Sequence, residues 1–163
     1  MKDSIISLFN DYSSIIIFLH VLSAIVWVGG MIALRFAVHF TMQSIDKPQV
    51  KLKLILDYLQ RFFNIVRPLI GLLLVTAIIM TFGLGFKNTP LYIIVHLKEA
   101  IWTIMTIVFI IIYVKRNTAQ MYFDANDFKS SKQTLEIIAK YLIPINIILG
   151  LIALYFGIAL RGL

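Results

Sequence analysis

The side chains best equipped for chemistry lie inside the chain's most apolar stretches. "FLHVLSAIVWVGG", residues 18–30, carries His20, with Trp27 seven residues on and Gly29-Gly30 behind it. "VHLKEAIWTIM", residues 95–105, carries His96, Lys98 and Glu99. An ionisable group in hydrocarbon is costly unless partnered, so such groups are functional candidates by default. Two neutral imidazoles from different helices at one depth can ligate heme iron from both sides, or give nitrogen ligands to copper. His20 and His96 are therefore the candidate metal ligands. The plainer alternative is that each histidine hydrogen-bonds a neighbouring helix.

Helical spacing sorts the remaining groups. His96, Glu99 and Thr103 fall on one face; Lys98, Trp102 and Met105 fall on another. Glu99 can bond His96 or a ligand, and Lys98 can meet an acidic group such as a propionate or else snorkel to headgroups. Lys98 and Glu99 are the candidate catalytic groups. His20, Ser23, Trp27 and Met31 form a stripe on the first helix, which adds Trp27 to the candidate cofactor-binding residues. Gly29, Ala33 and Ala37 form a small-residue row suited to close helix approach, and Gly71 and Gly150 suit it elsewhere. Arg35, His39 and Arg67 cluster near the opposite end, where they suit a carboxylate, a phosphate or lipid headgroups. Six methionines are scattered, and only Met80 is expected near the histidine layer, so the copper signal is thin.

These residues need helices to position them. Hydrophobic residues make up 60% of the 163, charged ones only 14%, and mean hydropathy is +0.91. Soluble domains run about 45–50% apolar and about 25% charged. The expected fold is all-α: a single integral-membrane four-helix bundle over 1–163. Spans are expected at about 14–34, 69–86, 90–114 and 141–160, each able to cross a layer that takes about 20 helical residues. "FKNTP" makes a short turn, with Asn88 or Thr89 as cap and Pro90 at the first helical position. "VKLKLILDYLQRFFNIVRP" reads as an amphipathic cytoplasmic helix ahead of span two, with Pro68 at a start or bend. "KRNTAQMYFDANDFKSSKQTLEIIAK" reads as a partly helical surface loop.

Basic residues set the topology. The first and third loops with their helix ends hold eleven Lys and Arg, the opposite side three. This predicts both termini outside and both long loops in the cytoplasm. His20 and His96 then each lie about 9 Å in from the outer side. The start, "MKDSIISLFNDYSS", lacks a basic n-region, so the first apolar run is expected to be retained rather than cleaved.

Much else is excluded. Without cysteine there are no disulfides, thiolate metal sites or cysteine nucleophiles. Phosphate-loop, GxSxG and HExxH patterns are absent. The net charge of +7 fits topology and anionic lipid better than nucleic acid.

"LHVLSAIVWVGG" resembles the first-helix signature shared by the copper-resistance protein D (CopD) family and the HemJ-type protoporphyrinogen oxidases. "HLKEAIW" at 96–102 is similar to the third-helix lysine segment of both. The resemblance implies a b-type heme, with the essential first-helix histidine and third-helix lysine falling on His20 and Lys98. Arg35 and His39 are approximate counterparts of a further Arg and His, since this chain reads "LRFAVHF" where HemJ proteins usually read Leu-Pro-Arg…Tyr-His. The histidine expected at the end of span three is replaced by "YVKR", closer to CopD.

The leading expectation is thus a heme-b-binding redox protein of a bacterial-type inner membrane, with porphyrinogen oxidation as candidate reaction and a quinone or other membrane carrier as electron acceptor. Copper uptake or delivery at the His20/His96 layer is the alternative. A non-catalytic assembly subunit is the third reading. Lipid is the expected surround, a homodimer a further expected partner, and nucleic acid none.

Overall fold

A computed structural model describes residues 2–85 and 92–162, with side chains for all of these except 2, 39, 43, 161 and 162. The turn expected at "FKNTP" and the side chain of His39 lie outside that description. Among the described residues there is no strand, and four helices are long and apolar enough to cross a membrane. We label them α1 (Asp3–Met42), α2 (Pro48–Gly83), α3 (Tyr92–Asp124) and α4 (Phe128–Leu160).

All four are longer than hydrocarbon thickness demands, and in α2, α3 and α4 the excess gathers at the basic end. The segment before span two is helical and continuous with that span, with no start or bend recorded at Pro68. It is the first half of α2, which runs unbroken from Pro48 through Pro68. Leu52, Leu56, Leu59, Phe62, Phe63 and Val66 bury its apolar face, while Asp57, Arg61, Asn64 and Arg67 stay exposed. That polar face makes the segment read as interfacial in sequence. Phe62 lies against Gly30, so this part of α2 sits beside the apolar run of α1.

The long polar stretch after span three is likewise helical nearly throughout, because it contains neither glycine nor proline. Only residues 125–127 interrupt it. Asn126 takes a left-handed φ of 62°, which asparagine tolerates better than most. The amides of Asn126 and Asp127 close on the Phe123 and Tyr122 carbonyls at 3.0 and 2.9 Å, a Schellman ending. Asp127 then caps α4, accepting from the Ser130 amide at 3.0 Å. Hydrogen bonds from Ser130 hold this carboxylate below the usual carboxylate range.

The helices pack in a ring, α1 on α2, α2 on α3, α3 on α4 and α4 back on α1. In lipid this packing rests on close fit rather than water exclusion. Trp27 meets Phe109 edge-on at 6.1 Å, and Phe109 meets Phe63 at 5.3 Å, which joins three helices. At the basic end buried Arg116 of α3 clasps the Leu56 carbonyl of α2 through Nη2 at 3.0 Å and Nε at 3.3 Å. Contacts between α1 and α4 gather in residues 25–33 rather than nearer the N-terminus. Two π-turns, Ile25–Gly29 and Leu34–Val38, interrupt α1, and a third, Ile138–Leu142, interrupts α4.

The small residues divide differently from expectation. Gly29, Ala33 and Ala37 face outward, and a Cβ on Gly29 would meet nothing within 4 Å. Gly71 is equally open. A Cβ on Gly150 would fall 2.6 Å from Val28 and 3.2 Å from Met105, so here α4 approaches α1 and α3 closely. Gly29→Ala should therefore gain up to about 1 kcal/mol from helix propensity. Gly150→Ala should lose stability through overpacking, which typically costs about 1–3 kcal/mol. Opposite shifts of the thermal midpoint in detergent check this; shifts of the same sign would contradict the packing.

Candidate functional site

The end of the bundle away from the basic loops gathers one polar group after another onto a single layer. His20 projects from α1 toward α2, where its Nδ1 lies 2.9 Å from Thr76 Oγ1. The threonine hydroxyl has one hydrogen, and Oγ1 sits 2.7 Å from the Leu72 carbonyl and 3.1 Å from that of Leu73, both of which can only accept. When Thr76 donates to its own helix it accepts from His20, and the imidazole then carries its proton on Nδ1 and its lone pair on Nε2. A second-shell bond of this kind is what fixes a ligating histidine's tautomer and ring orientation.

Lys98 enters the same layer from α3. It does not snorkel outward: it is half-buried, close enough to act electrostatically on His20, and its Nζ is 3.3 Å from where a Cβ on Gly157 of α4 would stand. Gly157 thus leaves room for the ammonium, and all four helices contribute to the layer. Trp102 lies one turn along the same face, and its Nε1–H is buried without a hydrogen-bond acceptor among the described residues. Lys98 likewise has no carboxylate partner there. A cation and an indole donor face inward together, both lacking an acceptor.

His96 is not part of this layer. Two helical positions from Lys98, it points about 200° away. Its ring is 55% exposed, bonds Glu99 Oε2 through Nδ1 at 3.0 Å and stacks edge-on with Tyr92 at 4.3 Å. Glu99 and Thr103 share that exposed face. The expected meeting of two imidazoles is therefore corrected: equal depth holds no information about azimuth, and the 100° step that places Lys98 inward places His96 outward. The third-helix faces themselves separate as the spacing requires, with Met105 buried and Trp102 half-buried on the Lys98 side.

Trp27 and Arg35 also lie away from His20. Trp27 is fully buried two turns along, packed on Phe109, with its Nε1 unpaired. Arg35 is about 22 Å along α1 from His20. It lines a cleft of about 510 Å³ at the basic end, with Lys51, Asp46, Lys132 and Glu136 on its rim and apolar residues such as Leu52 and Ile138 beneath. Met80 is one turn beyond Thr76 on α2 and half-buried. Asn146 of α4 had no place in the sequence reading. It is fully buried with neither amide atom bonded among the described residues. An isolated polar residue in a span was the only signal for it.

No family model matches the chain, and no solved structure matches it. It is 29% identical over 150 residues to an uncharacterized protein of Aquifex aeolicus (strain VF5), an alignment covering 89% of this chain and 92% of that one. The likeness thus runs through all four helices.

Removing the Thr76 hydroxyl leaves the His20 N–H buried without its acceptor, at a cost of about 1–3 kcal/mol. Thr76→Val and His20→Ala should then be less than additive in a double-mutant cycle of unfolding in detergent. Strict additivity would mean the two side chains do not interact.

Proposed function

We propose that the protein is a multi-pass membrane protein of the bacterial plasma membrane, with both termini outward, that binds heme b in the His20 layer and serves membrane redox chemistry. The observation that carries this reading is the pairing of an imidazole held to Thr76 through Nδ1, which leaves Nε2 for a ligand, with an inward Lys98 and Trp102 that both lack an acceptor among the described residues. One part calls for a metal, the other for an anion. A metalloporphyrin with carboxylate arms answers both.

The residues present fit such a group with one histidine ligand rather than two. His20 would hold the iron, Thr76 would orient the ring, and Lys98 with Trp102 would hold a propionate. Bound heme supplies one-electron chemistry. Gly157 keeps room for the ammonium close to the layer. The tetrapyrrole substrate class implied by the resemblance to HemJ proteins carries the same acidic groups, so porphyrinogen oxidation with electrons passed to a membrane carrier is the reaction proposed. Glu99 and His96, on the outer face of α3, are not assigned a catalytic role. The copper reading placed the metal at the His20/His96 layer, from which His96 points away, and it is not carried forward.

Protein purified from heme-replete membranes, or reconstituted with hemin, should show a Soret band. His20→Ala should abolish it, Lys98→Met should weaken hemin affinity about tenfold or more through loss of a charge-assisted bond, and His96→Ala should leave it intact. A wild-type protein that stays colourless after hemin titration would defeat the proposal and leave His20 as a helix-locking group.

Lys98 also predicts a trade between stability and binding. An ammonium held in a bundle without a counter-ion is destabilising. Lys98→Met should therefore raise the unfolding midpoint of the ligand-free protein while weakening hemin binding; a lowered midpoint would show that Lys98 is satisfied without ligand.

A further inference from the structure

Two arginines near the basic end, Arg67 and Arg116, spend their hydrogen bonds very differently. Arg116 is buried, and its Nε, Nη1 and Nη2 groups reach the Leu56 carbonyl, Asn117 and Gln120 between 3.0 and 3.3 Å. It is a tie between helices. Arg67 is exposed on α2, just ahead of that helix's apolar run at about 69–86. Its side chain runs back toward the basic end, where Nε donates to the Phe63 carbonyl at 3.4 Å, Nη1 reaches the Tyr113 hydroxyl at 3.5 Å, and Nη2 bonds Asn64 Oδ1. The guanidinium lies 5.3 Å from the centre of the Tyr113 ring.

All these partners are neutral. No carboxylate pairs with Arg67 among the described residues. A guanidinium has five N–H donors, and three are spent, which leaves one hydrogen on each terminal nitrogen. A guanidinium with two donors left over can take two oxygens of a phosphate at once. Beside the fork a cleft of about 230 Å³ opens between α2 and α3, walled by Ile70, Thr106, Phe109, Ile110 and Tyr113. Its walls are apolar, and its one charged member is Arg67. A full positive charge held at the edge of hydrocarbon, with an apolar groove leading inward from it, matches an amphiphile that has an anionic phosphate head and a hydrocarbon tail.

We propose that this cleft is a specific site for an anionic phospholipid of the leaflet at the basic end, its phosphate forked by Arg67 and one acyl chain lying along Ile70 and Ile110. Asn64 and Tyr113 are positioning residues that hold the guanidinium at headgroup level. The site is separate from the His20 layer and stands whether or not heme binds there.

Native mass spectrometry of the detergent-solubilised full chain tests it, with equimolar phosphatidylglycerol and phosphatidylcholine added. Wild type should retain phosphatidylglycerol with about a tenfold preference, the scale of one charge-assisted contact pair. Arg67→Gln should bring the preference near unity, and Arg67→Lys, which keeps the charge but loses the fork, should fall between. Arg61→Gln, which removes a neighbouring exposed cation, should leave the preference in place. Ile110→Trp, which fills the cleft and spares the charge, should also lower retention, and it decides the matter if Arg67→Gln fails to fold. Equal retention of both lipids by wild type, or an unchanged preference in both Arg67→Gln and Ile110→Trp, overturns the proposal. Complete displacement of the lipid by millimolar glycerol phosphate overturns it too, because the ligand would then be a soluble phosphate with no use for the groove.

Discussion

One hydroxyl hydrogen governs the polar layer. Thr76 can donate once, and its own helix takes that donation at 2.7 Å from the Leu72 carbonyl. With that donation made, the ring that faces α2 holds its proton on the near nitrogen and leaves the far nitrogen as a base. Because the bond joins α1 to α2 where few other polar contacts exist, it also sets the azimuth of α1 for the turns on either side. Lys98 and Trp102 gain meaning only beside a ring fixed in this way.

The two ends of the bundle are built on opposite terms. At the basic end Arg116 spends four of its five N–H groups on acceptors from its own and a neighbouring helix, and the aromatic chain Trp27–Phe109–Phe63 lies just inside it. At the far end donors outnumber acceptors, and α4 draws on α1 mainly through residues 25–33. Since burial of apolar surface does not drive association within lipid, the tight end is held by fit and by the arginine clasp. The looser end can then carry groups that are costly to keep unpartnered. Stability in one half permits chemistry in the other.

Much of this architecture was legible in sequence and some was not, for definable reasons. Four apolar runs give four helices, because backbone amides in lipid have no other solution. The 100° step along α3 separates Lys98 and Trp102 from His96 and Glu99 without any coordinates. It cannot say which face is inward, because both faces are equally mixed in character. Depth can be counted from a span's start, but direction around the axis cannot, which is why His20 and His96 share a level and not a layer. The early part of α2 is obscured by Arg61, Asn64 and Arg67, whose polar side chains mark an exposed edge while Phe62 and Phe63 behind them fill the core. Gly30, not Gly29, meets an aromatic ring, a difference of one residue that no composition rule resolves.

The π-turns explain part of that last difficulty. Each wide turn accommodates one residue more than an α-helix would, so every position beyond it is rotated by roughly 100° from where simple counting puts it. One of them, Ile25–Gly29, lies between His20 and Arg35, so the angle between these two residues differs by about that step from the one counted in sequence. Loss of a single residue within Ile25–Gly29 would restore ordinary winding and swing the entire N-terminal half of the rod about its axis, carrying the imidazole off its threonine without altering either side chain. Chain length within that short stretch is therefore as tightly specified as any residue identity in the protein.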